Sequence, residues 1–297
     1  CSFKRYRFLR DYFWNIKRWK LEAGRFFLTL PASNFKLPAF MEYILIPIVA
    51  LLASALTFFS GFGLGTLLLP AFALFFPVDV AIALTAIVHF LNNGFKYFLV
   101  QKHINWKIAL QFGFPALLFS FLGAFLLDKI THANILMEYT LNHKIFQITL
   151  MKIIVAVLLI FFALFELIPK LKNLQFPEKY LAIGGILSGF FGGLSGHQGA
   201  LRSAFLIKAG LSKESFIATG IVVSMFIDFT RLSVYASKIT TYTLYENKVL
   251  LISATLCAIT GAYLGNQLLK KVTLKFLQVF VAVLLLLVAI ALGMGII

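Results

Sequence analysis

The chain has 297 residues, 61% of them hydrophobic and only 13% charged, with a mean hydropathy of +0.93. A soluble domain carries about a quarter charged residues, so this composition excludes a soluble globular protein and predicts a polytopic membrane protein. The net charge is +16, and the only cysteines are Cys1 and Cys257, which excludes a disulfide framework.

The first element is a basic segment over residues 1–40. It holds Lys4, Arg5, Arg7, Arg10, Lys17, Arg18, Lys20, Arg25 and Lys36 against Asp11 and Glu22. Phe8, Leu9, Tyr12, Phe13, Ile16 and Trp19 fall roughly on one helical face. A basic amphipathic helix of this kind is expected to lie on an anionic lipid surface, with the N-terminus cytoplasmic. Nucleic-acid binding is not expected, because the attached body is membrane-embedded.

Residues 41–297 read as one membrane transporter domain. Apolar runs fall at about 43–60, 64–76, 79–99, 106–127 and 145–168. A polar linker over 169–179 follows, and then runs at about 180–191, 198–210, 214–236, 247–268 and 273–296. A full span needs roughly 20 residues. The runs at 64–76, 180–191 and 198–210 are too short and are expected to be half-helices. The fold class predicted is an all-α bundle of about eight membrane segments in two homologous halves, about 41–168 and 180–297.

The halves announce themselves through two glycine-broken segments. Ser60-Gly61-Phe62-Gly63-Leu64-Gly65-Thr66 is one, and Gly192-Gly193-Leu194-Ser195-Gly196-His197-Gln198-Gly199-Ala200 is the other. The shift of 134 residues that carries Gly65 onto Gly199 also carries Leu67 onto Leu201, Thr85 onto Thr219, Val88 onto Val222 and Phe95 onto Phe229. Further on, Gly123-Ala124 recurs as Gly261-Ala262, and the five residues from Val155 recur from Val281. Paired breaks in corresponding halves point to a transporter's binding site, and unwound backbone survives in a membrane only where protein or a watery cavity surrounds it. The breaks, with Gly61, Gly63 and Gly65 in one and Gly193, Gly196 and Gly199 in the other, are expected to face each other. An odd number of passages per half would invert the second half. Loop lysines fall on alternate loops and do not decide it.

The stretch from Gly61 through Pro70, then Pro77-Val78-Asp79 to Thr85, resembles the first repeat of the sulfite exporter TauE/SafE family. Gly192 to Ala200, then Gly210-Leu211-Ser212 and Ala218-Thr219, resembles its second repeat. The resemblance covers about residues 42–296. It implies a multi-pass permease of the bacterial inner membrane that moves sulfite, sulfonates or related sulfur-containing anions, with proton coupling. His197, Gln198 and Arg202 stand in and around the second motif, where the family usually carries three consecutive glycines.

Polar groups inside spans are costly and carry a functional expectation by default. His89, Asn92, Asn93 and Lys96 share one helical face and are expected to form a polar wall of a substrate cavity. Snorkelling of Lys96 and interhelical bonding of the amides are the plainer reading. Asp228 and Arg231 are three apart and can pair, with Ser224 and Tyr235 along the same face. A purely structural pair is one reading; in the other, Arg231 is an anion ligand and Asp228 the proton-coupling carboxylate. His197, Gln198 and Arg202 flank the second break, where a half-helix N-terminus favours anions and an arginine supplies a bidentate donor. Thr66 is the matching candidate at the first break.

Other classes fit less well. The five histidines, His89, His103, His132, His143 and His197, do not pair at metal-ligand spacing, and the glycines lack the ending of a nucleotide-binding loop. Neither metal nor cofactor is expected. Gly193-Leu194-Ser195-Gly196 resembles the serine motif of rhomboid proteases, but no histidine follows His197 to activate the serine, so no catalytic residue is expected. A permease for organic acids and a non-transporting membrane scaffold are the competing functions. Intramembrane charges near one depth favour transport over the scaffold.

Overall fold

A computed structural model describes residues 40–58, 63–131, 135–141, 144–172, 174–236, 241–268 and 274–297. Gly61 and all but the last residue of the basic segment lie outside the described residues. The helices are α1 (Glu42–Thr57), α2 (Gly65–Ala73), α3 (Val78–Val100), α4 (Trp106–Thr131), α5 (Leu150–Leu167) and the short α6 (Pro169–Lys172). After the linker come α7 (Leu181–Ser195), α8 (Gly199–Leu206), α9 (Lys213–Tyr235), α10 (Thr241–Glu246), α11 (Lys248–Leu268) and α12 (Leu274–Gly293). The expected half-helices are α2, α7 and α8.

Four helical stretches are long and apolar enough to cross a membrane: Val78–His103, Trp106–Thr131, Lys213–Tyr235 and Lys248–Gln267. Shorter apolar stretches are Glu42–Thr57, Leu150–Phe165 and Ala282–Gly293. Large apolar side chains stand exposed along them, among them Phe98, Phe114, Phe121, Phe229, Ile252 and Leu287. Exposed apolar surface of that extent on helices of spanning length fits a lipid-facing surface.

One element departs from an all-helical bundle. An antiparallel hairpin, β1 (Ile135–Leu141) and β2 (Lys144–Thr149), joins α4 to α5. The apolar run at 145–168 is therefore strand for its first residues and helix from Leu150. Ile145, Phe146, Ile148 and Thr149 are β-branched or aromatic and favour the pleated chain. The Thr149 side chain then caps α5 by accepting from the Lys152 amide at 3.3 Å.

Contacts between small residues set the helix directions. Along α7, Gly185, Gly189 and Gly193 lie against the backbone of Phe112, Ala116 and Ser120 in α4, in the same order. Both series step by four residues, so α4 and α7 run parallel with their backbones in contact. Gly261 and Gly265 of α11 lie likewise against Leu51 and Ala55 of α1, so this pair is parallel too. Ser54 bonds Asn92, and Lys96 lies over the Phe58 ring, which aligns α1 with α3. In contrast, His89 of α3 meets Asp228 of α9, while Asn105, just beyond the end of α3, meets Thr219 nearer the start of α9, so these two helices run in opposite directions. Thus α1, α3 and α11 point one way, and α4, α7 and α9 point the other.

The directions explain the half-helices. Because α1 and α3 are parallel, α2 must carry the chain back between them. Because α7 and α9 are parallel, α8 must do the same. The two returns enter from opposite ends and their tips touch: a Cβ on Gly65 would sit 3.7 Å from the Gly196 carbonyl oxygen.

Candidate functional site

Gly196 ends α7 in the left-handed conformation, at φ 79°, with its N–H bonded to the Gly192 carbonyl at 2.8 Å. A glycine takes this turn without steric cost. Here it has a second use. The Arg231 Nη1 atom lies only 2.5 Å from where a Cβ of residue 196 would be. The turn therefore admits the guanidinium only because its residue has no side chain.

Arg231 and Asp228 are one turn apart on α9. The Arg231 Nε donates to Asp228 Oδ1 at 3.1 Å, and Nη2 lies 2.9 Å from the same oxygen. The other carboxylate oxygen, Oδ2, accepts from His89 Nδ1 of α3 at 2.5 Å. Asn93 lies 3.5 Å from His89 Nε2, in position to donate to it. Gly63, at the first break, lies close against the His89 ring, and a Cβ there would stand a tight 3.1 Å from Nε2. The sequence anticipates the Asp228–Arg231 pair. It does not show that His89 completes it from the other half of the chain.

On one side of this pair lies a cavity of about 30 Å³. Thr57, Gly63, His89, Asn93, Lys96, Arg202, Gly220 and Ser224 contribute to its wall. Arg202 reaches it from α8 and donates through Nη1 to the Ser224 hydroxyl. Gly220 makes room for it, because a Cβ there would stand 3.3 Å from Arg202 Nε. Lys96 and Arg202 are 5% and 6% exposed and Asp228 is fully buried. Lys96 does not snorkel out of the bundle; it stays on the cavity wall.

The other expected site residues separate. Asn92 is off the cavity wall. With its amide turned to satisfy its neighbours, the nitrogen donates to the Ala258 carbonyl at 3.1 Å and the oxygen accepts from Lys96 Nζ at 3.2 Å. Asn92 thus ties α3 to α11 and steadies Lys96. Thr66 is buried in the first turn of α2, while its neighbours Gly63 and Leu64 line the cavity. His197, Gln198 and Arg231 lie on the far side of the His89–Asp228 pair. The His197 ring stacks on Phe162, with centroids 5.5 Å apart, and its Nδ1 donates to the Ser195 carbonyl at 3.1 Å. The Ser195 hydroxyl donates instead to the Phe191 carbonyl at 3.1 Å. The serine and histidine of the protease-like motif are therefore joined through a backbone oxygen and not through the hydroxyl.

Three residues were not singled out from the sequence as site residues. Thr57 and Gly220 line the cavity. Thr85 is buried one turn from His89, its Cγ2 3.6 Å from where a Gly65 Cβ would be. Thr85 and Thr219 already stand out as a matched pair in the repeat, which was the available signal.

Searches against curated proteins and against solved structures give no match. The profile described as sulfite exporter TauE/SafE matches residues 46–292 and so takes in both breaks and every charged residue around the cavity. Parallel glycine seams, two broken helices meeting tip to tip and a buried cationic cavity are features of a membrane permease, and the chain belongs to the sulfite exporter TauE/SafE family.

Proposed function

We propose that this permease carries a small sulfur oxyanion of the sulfite class across a bacterial inner membrane, coupled to protons, by way of the cavity between Lys96 and Arg202. One observation carries the reading. Lys96, Arg202 and Arg231 are buried around His89 and Asp228, and Asp228 is the only buried carboxylate among the described residues. Charge excess of one sign inside a membrane is costly. A visiting anion offsets it. The size of the cavity narrows the class. A volume of about 30 Å³ is on the order of two or three water positions, which suits a four-atom oxyanion better than a chain-bearing sulfonate or a dicarboxylate.

We further propose that the chain is an inverted duplication of eight segments, where each broken pair counts as one segment but returns to the side it entered from, so that each half makes an odd number of crossings. The support is the exchange of partners. The α1–α11 seam corresponds to the α7–α4 seam, and α1, α3 and α4 run opposite to their second-half counterparts α7, α9 and α11. Inverted repeats of this kind place substrate where the broken helices meet.

Proteoliposome flux over a panel of sulfite, thiosulfate, sulfonates and carboxylates tests the assignment. Saturable sulfite flux, at least tenfold above that of a carboxylate, is the expected result. Preference for carboxylates would move the protein to the organic-acid reading, and no flux of any anion would leave the scaffold.

A further inference from the structure

The site residues fall into two groups, and the second group keeps several polar atoms without partners. Beyond the His89–Asp228 pair, four buried side chains belong to the surroundings of the Gly196 turn: His197 and Gln198 follow it in the chain, Arg231 Nη1 would stand 2.5 Å from a Cβ on Gly196, and the Thr85 methyl and the Gly196 carbonyl would both lie within 4 Å of a Cβ on Gly65. They are 2%, 1%, 1% and 2% exposed. Arg231 Nη1, His197 Nε2, Thr85 Oγ1 and both amide atoms of Gln198 have no hydrogen-bond partner. A buried polar atom left unmade costs about 1–3 kcal/mol, and folded proteins keep few of them. Five around one turn of chain call for an occupant.

Their chemistry says what kind. Arg231 Nη1 and the Gln198 nitrogen donate. His197 has given its Nδ1 proton to the Ser195 carbonyl, so its Nε2 accepts, as does the Gln198 oxygen. The Thr85 hydroxyl does either. A bare oxyanion would satisfy only the donors. A small oxyanion that carries a hydrogen, as hydrogen sulfite does, satisfies both kinds. The place is right as well. Thr85 lies one turn below His89 on α3, and Arg231 one turn beyond Asp228 on α9, so both helices continue from the cavity to this turn. Tyr235, a turn further along α9, closes the far side by donating to the Gly193 carbonyl at 3.1 Å.

We propose that the Gly196 turn is a second, inner binding position for the transported oxyanion in its hydrogen-bearing form, held by Arg231, His197, Gln198 and Thr85. The His89–Asp228 pair divides it from the outer cavity at Lys96 and Arg202. The substrate then occupies two positions in sequence, one on each side of the pair. This rests on the sulfite-class reading above and adds the residues of the second step.

The test separates equilibrium binding from flux in the full-length protein, with radiolabelled sulfite as the probe. Gln198→Leu and Thr85→Val each remove orphaned polar atoms at nearly constant volume. Both variants should therefore be at least as heat-stable as the wild type. They should bind sulfite at the outer cavity within threefold of wild type, yet move it at least tenfold more slowly. Thr85→Ser, which keeps the hydroxyl, should recover the flux that Thr85→Val loses. Lys96→Gln should show the opposite pattern and lose binding first. Flux within twofold of wild type in both Gln198→Leu and Thr85→Val would mean that water alone fills the turn and would overturn the inner position. So would loss of binding in step with flux. A wild-type protein that neither binds nor moves sulfite would overturn the functional reading itself and the inner position with it.

Discussion

Arg202 and Lys96 carry the strongest expectation at the scale of single residues. Each is buried in an apolar bundle and faces the same cavity, and Arg202 is steadied by the Ser224 hydroxyl. A charge-assisted hydrogen bond is worth about 1.5–3 kcal/mol, so replacing Arg202 by Gln should weaken sulfite binding at least tenfold. The variant should still insert and fold, since Gln keeps a donor for Ser224. Direct binding beside a size-exclusion profile would check this, and near-normal affinity would remove Arg202 from the site. Gly196→Ala acts through geometry instead. A methyl group there meets Arg231 Nη1 and sits on a backbone with φ 79°. Heat stability should fall by roughly 1–3 kcal/mol, and flux should fall with it as Arg231 is displaced. Much of this was legible in the sequence. Charged residues inside apolar runs are conspicuous, and Arg202, Asp228 and Arg231 stand out on that ground alone. Their division into two groups was not legible. It depends on which face of α3 meets α9, and His89 completes an ion pair 139 residues away.

At the scale of elements, the glycine seams decide the packing. Gly185, Gly189 and Gly193 bring the α7 backbone against that of α4, where a side chain would strike Phe112, Ala116 or Ser120 backbone atoms. Little hydrophobic force joins helices in lipid, so such close approach supplies much of the association. Gly189→Leu should separate the pair and shift the break at Gly196 that α7 carries. Loss of the folded fraction in detergent, or a thermal midpoint several degrees lower, is the expected outcome. An unchanged midpoint would show that the seam does not bear the load assigned to it. The sequence pointed to the breaks through runs too short to cross, and α2, α7 and α8 are those runs. It did not reveal the hairpin between α4 and α5. Ile145 to Thr149 is an apolar stretch continuous with α5, and hydrophobicity alone does not separate a short strand from a helical turn. The four-residue spacing of Gly185, Gly189 and Gly193 was not read as a seam, and its partner, Phe112-Gly113 to Ser120, carries no matching signature.

At the scale of the whole molecule, two opposed returns meet at one point, and the only buried carboxylate among the described residues stands there. Asp228 is faced by His89 from α3, by Arg231 from its own helix, and by the charge of Arg202 from α8. An oxyanion passing from the cavity to the Gly196 turn must engage Arg231, which is then shared between the anion and the carboxylate. Two negative groups competing for one guanidinium in an apolar surround are unstable together. In the proposed coupling, protonation of Asp228 would relieve the conflict. Return of Arg231 to Asp228 after the anion leaves would release the proton again. The directions of proton and anion would then be locked, whichever gradient drives the cycle. Proteoliposomes with an internal pH dye should show proton movement that starts with sulfite addition and saturates with it. Asp228→Asn keeps the shape and removes the titrating oxygen. It should cut proton movement by tenfold or more, and any sulfite flux that remains should lose its dependence on the pH gradient. Sulfite flux without proton movement in the wild type would reject this coupling and leave the His89–Asp228–Arg231 cluster as a fixed brace between the two halves.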